Sequence, residues 1–121
     1  MTYLGVAVAG ALGAVVRYLV DRAVARRHYS VFPFGTLLVN ASGSFLAGVV
    51  LGLALYHGLA STAAVVIGIG FLGSYTTLST FSFESVGLLE SGALLLGLAN
   101  VVGSLVTGLL AAGAGFALGA L

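Results

Sequence analysis

The sequence predicts an all-α integral membrane protein with four transmembrane helices, and three observations carry that expectation. Of its 121 residues 60% are hydrophobic and only 6% charged, with a mean hydropathy of +1.23, whereas soluble domains carry about 25% charged residues. Four stretches reach the roughly 20 mostly apolar residues that a helix needs to cross a bilayer: Thr2 to Val20, Phe34 to Tyr56, Ser61 to Leu89 and Gly92 to Leu121. Runs such as Val49 to Leu55 are apolar on every face, which argues against the in-out alternation of a membrane barrel, and open sheets leave edge groups unsatisfied in lipid.

Taken in order, the first stretch has no basic residue at its start and is followed by three more spans, so it reads as a true helix rather than a secretory signal. It is expected to end in the polar run Asp21 to Ser30, which holds Arg22, Arg26, Arg27 and His28, with Pro33 blocking a continuous helix into the second span. The second connection, around Tyr56 to Thr62, has no arginine or lysine, and the third is a minimal turn near Glu90 to Gly92. Such a short hairpin should keep the third and fourth helices antiparallel neighbours. No residues are left over for a soluble domain, so 1–121 is read as one four-helix unit.

Nineteen glycines suit helices that approach closely in lipid. Small residues four apart, Gly5 with Ala9 and Gly13, Gly48 with Gly52, and Gly115 with Gly119, mark packing faces. Four short helices enclose little interior, so a dimer or larger oligomer is expected. There is no cysteine for a disulfide or thiolate, His28 and His57 do not share a metal-ligand spacing, and a net charge of +1 gives no reason to expect a nucleic-acid partner.

Gly68, Gly70 and Gly73 spell G-x-G-x-x-G, but that motif binds dinucleotides only between a strand and a helix, and here it lies within a span. The informative stretch is Gly73 to Glu84, G-S-Y-T-T-L-S-T-F-S-F-E, which puts eight Ser, Thr, Tyr or Glu side chains in the middle of the third span. Non-helical backbone at membrane depth survives only where it is buried in protein or lines a polar cavity, and Gly73 with Ser74 is the expected break. Freed carbonyls there can ligate a cation, and hydroxyls beyond it can donate to an anion. Glu84 is an intramembrane acid and so a functional candidate.

Asn40 stands in G-T-L-L-V-N-A-S-G, one helical turn after Thr36 and on the same face as Gly43. Its amide can serve a permeant ion or simply join two helices. Asn100, Ser104 and Thr107 repeat the pattern in the fourth span. The positive ring edge of Phe81 can face an anion without offering a full charge, or the ring can be ordinary packing. Arg17, near the end of the first span, is expected to snorkel to the interface.

Three segments together resemble the Fluc (CrcB) family of fluoride channels: Gly-Ala-x-x-Arg-Tyr at Gly13 to Tyr18, Gly-Thr-Leu-x-Val-Asn at Gly35 to Asn40, and Thr-Thr-x-Ser-Thr-Phe-Ser at Thr76 to Ser82. Their order, the four spans and the length agree, so the resemblance covers the whole chain. It implies a passive fluoride-selective channel in the plasma membrane, assembled as an antiparallel dual-topology dimer with two pores and a central structural sodium ion. By the same resemblance Asn40 would donate to fluoride, Phe81 would be a pore-lining ring, and Ser79 and Thr80 would belong to a polar track. Thr36 and Glu84 would lie along the route, and Ser104 would be the donor from the fourth helix. The backbone carbonyls of Gly73 and Thr76 would bind sodium. Leu78 stands where family members usually carry the first of two phenylalanines, and Asn100 where they often have an aromatic residue.

The function so implied is export of cytoplasmic fluoride without covalent chemistry, so no enzyme is expected. A small multidrug transporter would share the size and the four helices, but it relies on an acid in its first helix, and Thr2 to Val20 contains none. A non-conducting assembly subunit is the other alternative. Arg22, Arg26 and Arg27 place the first connection in the cytoplasm and both termini outside, so one orientation should dominate. The oppositely inserted mate is then expected to be a paralogous subunit, with self-association of a minority of inverted copies as the alternative.

Overall fold

The computed structural model describes all 121 residues and contains helices only. The first span is α1, Thr2–Arg27, and the second is α2, Phe34–Tyr56. The third is composite: α3, Ser61–Val65, continues into a π-helical segment, Val66–Leu72, and a last helical turn, α4, Gly73–Tyr75. After the non-helical residues Thr76 to Leu78 it resumes as α5, Ser79–Glu90. The fourth span is α6, Leu94–Ala120. The four spans are each long and apolar enough to cross a membrane, and leucines and valines such as Leu105, Leu109 and Leu110 cover the outside.

The bounds of α2 coincide with the sequence expectation, but α1 does not stop at Val20. It runs through Arg27, because the residues that make 21–27 polar do not make it unhelical: alanine and arginine are good helix formers, and Arg26 and Arg27 in the last turn oppose the helix dipole. One turn apart, Arg22 donates to the Tyr18 hydroxyl at 2.9 Å and lies 5.9 Å from its ring centroid. The turn into α6 closes with Ala93 N–H on the Leu88 carbonyl at 2.9 Å and Gly92 N–H on Leu89 at 3.2 Å. Gly92 has φ 86°, the left-handed geometry that glycine adopts without cost.

Close backbone approach organises the packing. On α2 and α6 the small residues interlock: a methyl at Gly48 would collide with the backbone of Ala112 and Phe116, one at Gly52 with Gly119, and one at Gly115 with the Phe45 carbonyl. The first span uses Gly5, Ala9 and Gly13 in the same way against Val66, Gly70 and Phe71. All three expected packing faces are therefore used, and G-x-G-x-x-G belongs to a helix surface. The fourth span packs chiefly on α2, while its hairpin partner α5 touches it near the turn, where Gly97 lies under the Leu89 side chain.

The interior is small and half polar. Val39, Leu72, Tyr75 and Leu88 are the buried apolar side chains, matched by Thr36, Thr77, Ser85 and Asn100. Every buried side-chain nitrogen and oxygen has a hydrogen-bond partner, which lipid demands because it can supply none.

Candidate functional site

The helix interruption lies at Thr76–Leu78, three residues beyond the Gly73–Ser74 break expected from sequence. Glycine's low helix propensity does not decide its place. What decides it is a competition for donors. The Thr77 N–H, which a continuous helix would give to the Gly73 carbonyl, goes to Asn40 Oδ1 at 2.8 Å. Asn40 Nδ2 returns a bond to the Thr77 carbonyl at 2.9 Å, so the amide pairs with the backbone as a neighbouring strand would. Three residues later the Thr80 N–H goes to the Thr77 hydroxyl at 3.2 Å rather than to the Thr76 carbonyl. The carbonyls of Gly73 and Thr76 thus lose their helical donors.

Two further ties hold this segment to α2. Tyr75 and Ser42 share a hydroxyl bond of 2.9 Å, and Thr36 donates to the Glu84 carboxylate. Gly43 leaves the space that the Thr76 methyl and the Tyr75 ring occupy. Thr36, Asn40 and Gly43 recur every three or four residues on one face of α2, so the helix acts as a ruler along the interrupted span.

Beside the interruption lies a groove of about 600 Å³. Asn40, Thr76, Phe81 and Ser104 line it together with Gly73 and Leu78. After pairing with Thr77, Asn40 retains one amide N–H. Leu78 is 76% exposed on the groove. Ser104 donates to Asn100 Oδ1 at 3.4 Å. On the other side of the interruption a pocket of about 160 Å³ is lined by Arg17, Tyr18, Asp21, Thr36, Thr77 and Thr80. Ser79 and Thr80 are exposed, Ser79 lying 3.4 Å from the Thr77 hydroxyl.

The structure thus brings Asn40, Phe81, Leu78, Ser104, Gly73 and Thr76 to one groove, and sets Thr36 and Thr80 in the smaller pocket with Glu84 bonded to Thr36. Arg17 is a correction. It does not snorkel outward but reaches the Thr76 carbonyl at 3.5 Å, because α1 continues ten residues, about 15 Å, beyond it. Asn100, read equally as helix glue or polar lining, is buried and joins α5 to α6 through Ser85 at 2.8 Å. Ser42 and Tyr75 escaped the sequence reading as a pair, since nothing in their spacing announces a contact across 33 positions.

Apolar spans outside, a polar seam inside and a backbone whose donors are diverted to side chains define a multi-pass membrane protein of the channel or transporter class. A family model described as CrcB-like protein, Camphor Resistance (CrcB), matches residues 4–116. Fluoride-specific ion channel FluC 2 of Mycobacterium tuberculosis (strain CDC 1551 / Oshkosh) is 47% identical over 110 residues, covering 91% of this chain and 84% of its own length. FluC 1 of Leifsonia xyli subsp. xyli is 43% identical across 100% of this chain and 88% of its own. FluC 1 of Frankia casuarinae is 46% identical across 98% and 95%. The chain belongs to the CrcB family, whose named relatives are ion channels and not enzymes.

Proposed function

We propose that this chain is a subunit of a fluoride-selective passive channel that lets fluoride leave the cytoplasm. The observation that carries the reading is the groove: along a bundle coated in leucine and valine, it offers the free Asn40 N–H, the Ser104 hydroxyl and the Phe81 ring on shared walls. A small anion entering it exchanges water for an amide donor, a hydroxyl and a positive ring edge, a set strong enough to admit the ion and weak enough to release it. The relatives' names supply the ion. Thr36, Glu84, Ser79 and Thr80 supply further polar groups beside the interruption, which then lies at membrane depth, lining this route.

The working unit is an antiparallel dimer. Leu78 and Phe83, 76% and 81% exposed, are the surface that a mate would cover, and the groove then gains its missing wall. A sodium ion at the dimer centre would be held by the Gly73 and Thr76 carbonyls, which fit that role because both have lost their helical donors. Sodium would supply fixed positive charge joining the two subunits. Arg17 competes for the Thr76 oxygen, so a bound cation requires its guanidinium to turn aside.

Arg22, Arg26 and Arg27 at the end of α1 favour the cytoplasm for the first connection. A paralogous mate with the reverse bias then completes the dimer. Cysteines engineered into the first connection and at the C-terminus should label from opposite faces of the membrane when this chain is expressed alone. Equal labelling of each site from both faces sinks the fixed orientation.

Fluoride efflux from proteoliposomes, with chloride as control, tests the function itself. Fluoride release with chloride retained is the expected result, for this chain alone or with its mate. Folded protein that passes neither ion marks an assembly subunit, and efflux of organic cations marks a drug transporter.

A further inference from the structure

We propose that Asn100 is a positioning residue for the conduction route: standing behind the groove wall, it governs which way the Ser104 hydroxyl proton points. The inference rests on the channel reading above and goes beyond it.

Asn100 is 1% exposed and does not line the groove, yet it is bonded to Ser104, which does, and to Ser85, whose partner Phe81 does. Its Nδ2 donates to Ser85 Oγ at 2.8 Å, and Ser85 donates to the Phe81 carbonyl at 2.7 Å. Its Oδ1 accepts from Ser104 at 3.4 Å. A serine hydroxyl has one proton, so Ser85, having spent its own on Phe81, can only accept from Asn100. That requirement fixes the amide: the nitrogen must face Ser85 and the oxygen must face Ser104.

The consequence falls on Ser104. With its proton turned to Asn100, it presents lone pairs to the groove, which repel an anion. To act as a donor the hydroxyl must rotate off Oδ1. At 3.4 Å that bond is long and therefore easily surrendered, whereas the 2.8 Å bond to Ser85 holds the amide in place. Once the anion moves on, the buried Oδ1 is an unpaired acceptor that draws the proton back. Asn100 thereby sets how tightly Ser104 grips a passing ion.

Asn100→Leu removes both bonds while keeping a similar volume and leaving the Ser85 bond to Phe81 in place. In proteoliposomes where the wild type conducts, the freed Ser104 proton should lower the half-saturating fluoride concentration about fivefold and the maximal efflux about tenfold, the scale set by losing one or two hydrogen bonds. In a Ser104→Ala background the same substitution should change either quantity less than about twofold. Reduced maximal efflux with unchanged half-saturation, or an equal effect with and without Ser104, overturns the proposal. Should Asn100→Leu not assemble, Asn100→Ala adds no bulk and is judged by the same two criteria. A wild type without fluoride efflux instead removes the channel reading, and this inference with it.

Discussion

In the second half of α2, Gly48 and Gly52 bring the backbone of α6 into contact, while in the first half Thr36, Asn40 and Ser42 hold the interrupted third span by hydrogen bonds. The first seam has no polar side chain at its closest points, and the second is made of little else. In lipid, helices gain nothing from hiding leucine, so association rests on dispersion between closely approaching backbones and on polar ties. The glycine seam supplies the rigid frame. The polar seam can then leave the Gly73 and Thr76 carbonyls without helical donors, since the frame does not depend on that stretch being regular.

This contrast can be broken by crowding the frame. Gly115→Leu forces a side chain into the Phe45 backbone, which cannot retreat as a flexible side chain would. Overpacking of this kind costs about 3 kcal/mol or more, and the expected result is aggregate in place of a single peak on size exclusion. A monodisperse, folded variant would mean that α2 and α6 can part without loss.

Asn40→Leu attacks the other seam. It leaves the Thr77 N–H and carbonyl unpaired, at about 1–3 kcal/mol each, and removes the free amide donor from the groove. The bundle should survive, because the glycine contacts remain, while fluoride efflux falls about a hundredfold, the kinetic equivalent of about 2.7 kcal/mol. Loss of fold in step with loss of flux would show that the two seams are not separable.

A smaller effect is expected from Phe81→Ile, which keeps most of the apolar volume and deletes the ring edge. Efflux about tenfold lower in a protein of unchanged elution fits a pore-lining ring, whereas wild-type efflux reduces Phe81 to packing. Smallest is Leu78→Phe. Leu78 lines the groove rather than the buried interior, so efflux should shift a fewfold and thermal stability by less than about 0.5 kcal/mol. Wild-type efflux together with a clearly lowered thermal stability would take position 78 out of the route.

Much of this arrangement is legible along the chain. Helices in lipid must bond their own backbone, so apolar length alone fixes the four spans, and glycines four apart mark the faces that the fold then uses. Charge does not end a helix: Arg22 to Arg27 interrupt the apolar run and still belong to α1. Composition likewise misplaces the interruption, since Gly73 and Ser74 both remain helical.

What the sequence determined by itself is therefore the solvent, the spans and the polar residues that no apolar span would carry without a reason. Those follow from composition and from periodicities of three or four residues, which are local. The place where the backbone opens was decided by tertiary structure, because it depends on the Asn40 amide arriving from 37 residues away to claim the Thr77 N–H. The roles of the two asparagines were decided in the same way: one pairs with opened backbone beside the groove, and the other lies sealed between Ser85 and Ser104. A side chain's hydrogen-bond partner is a fact of three dimensions, and in lipid, with no water to take its place, that partner fixes what the residue can do.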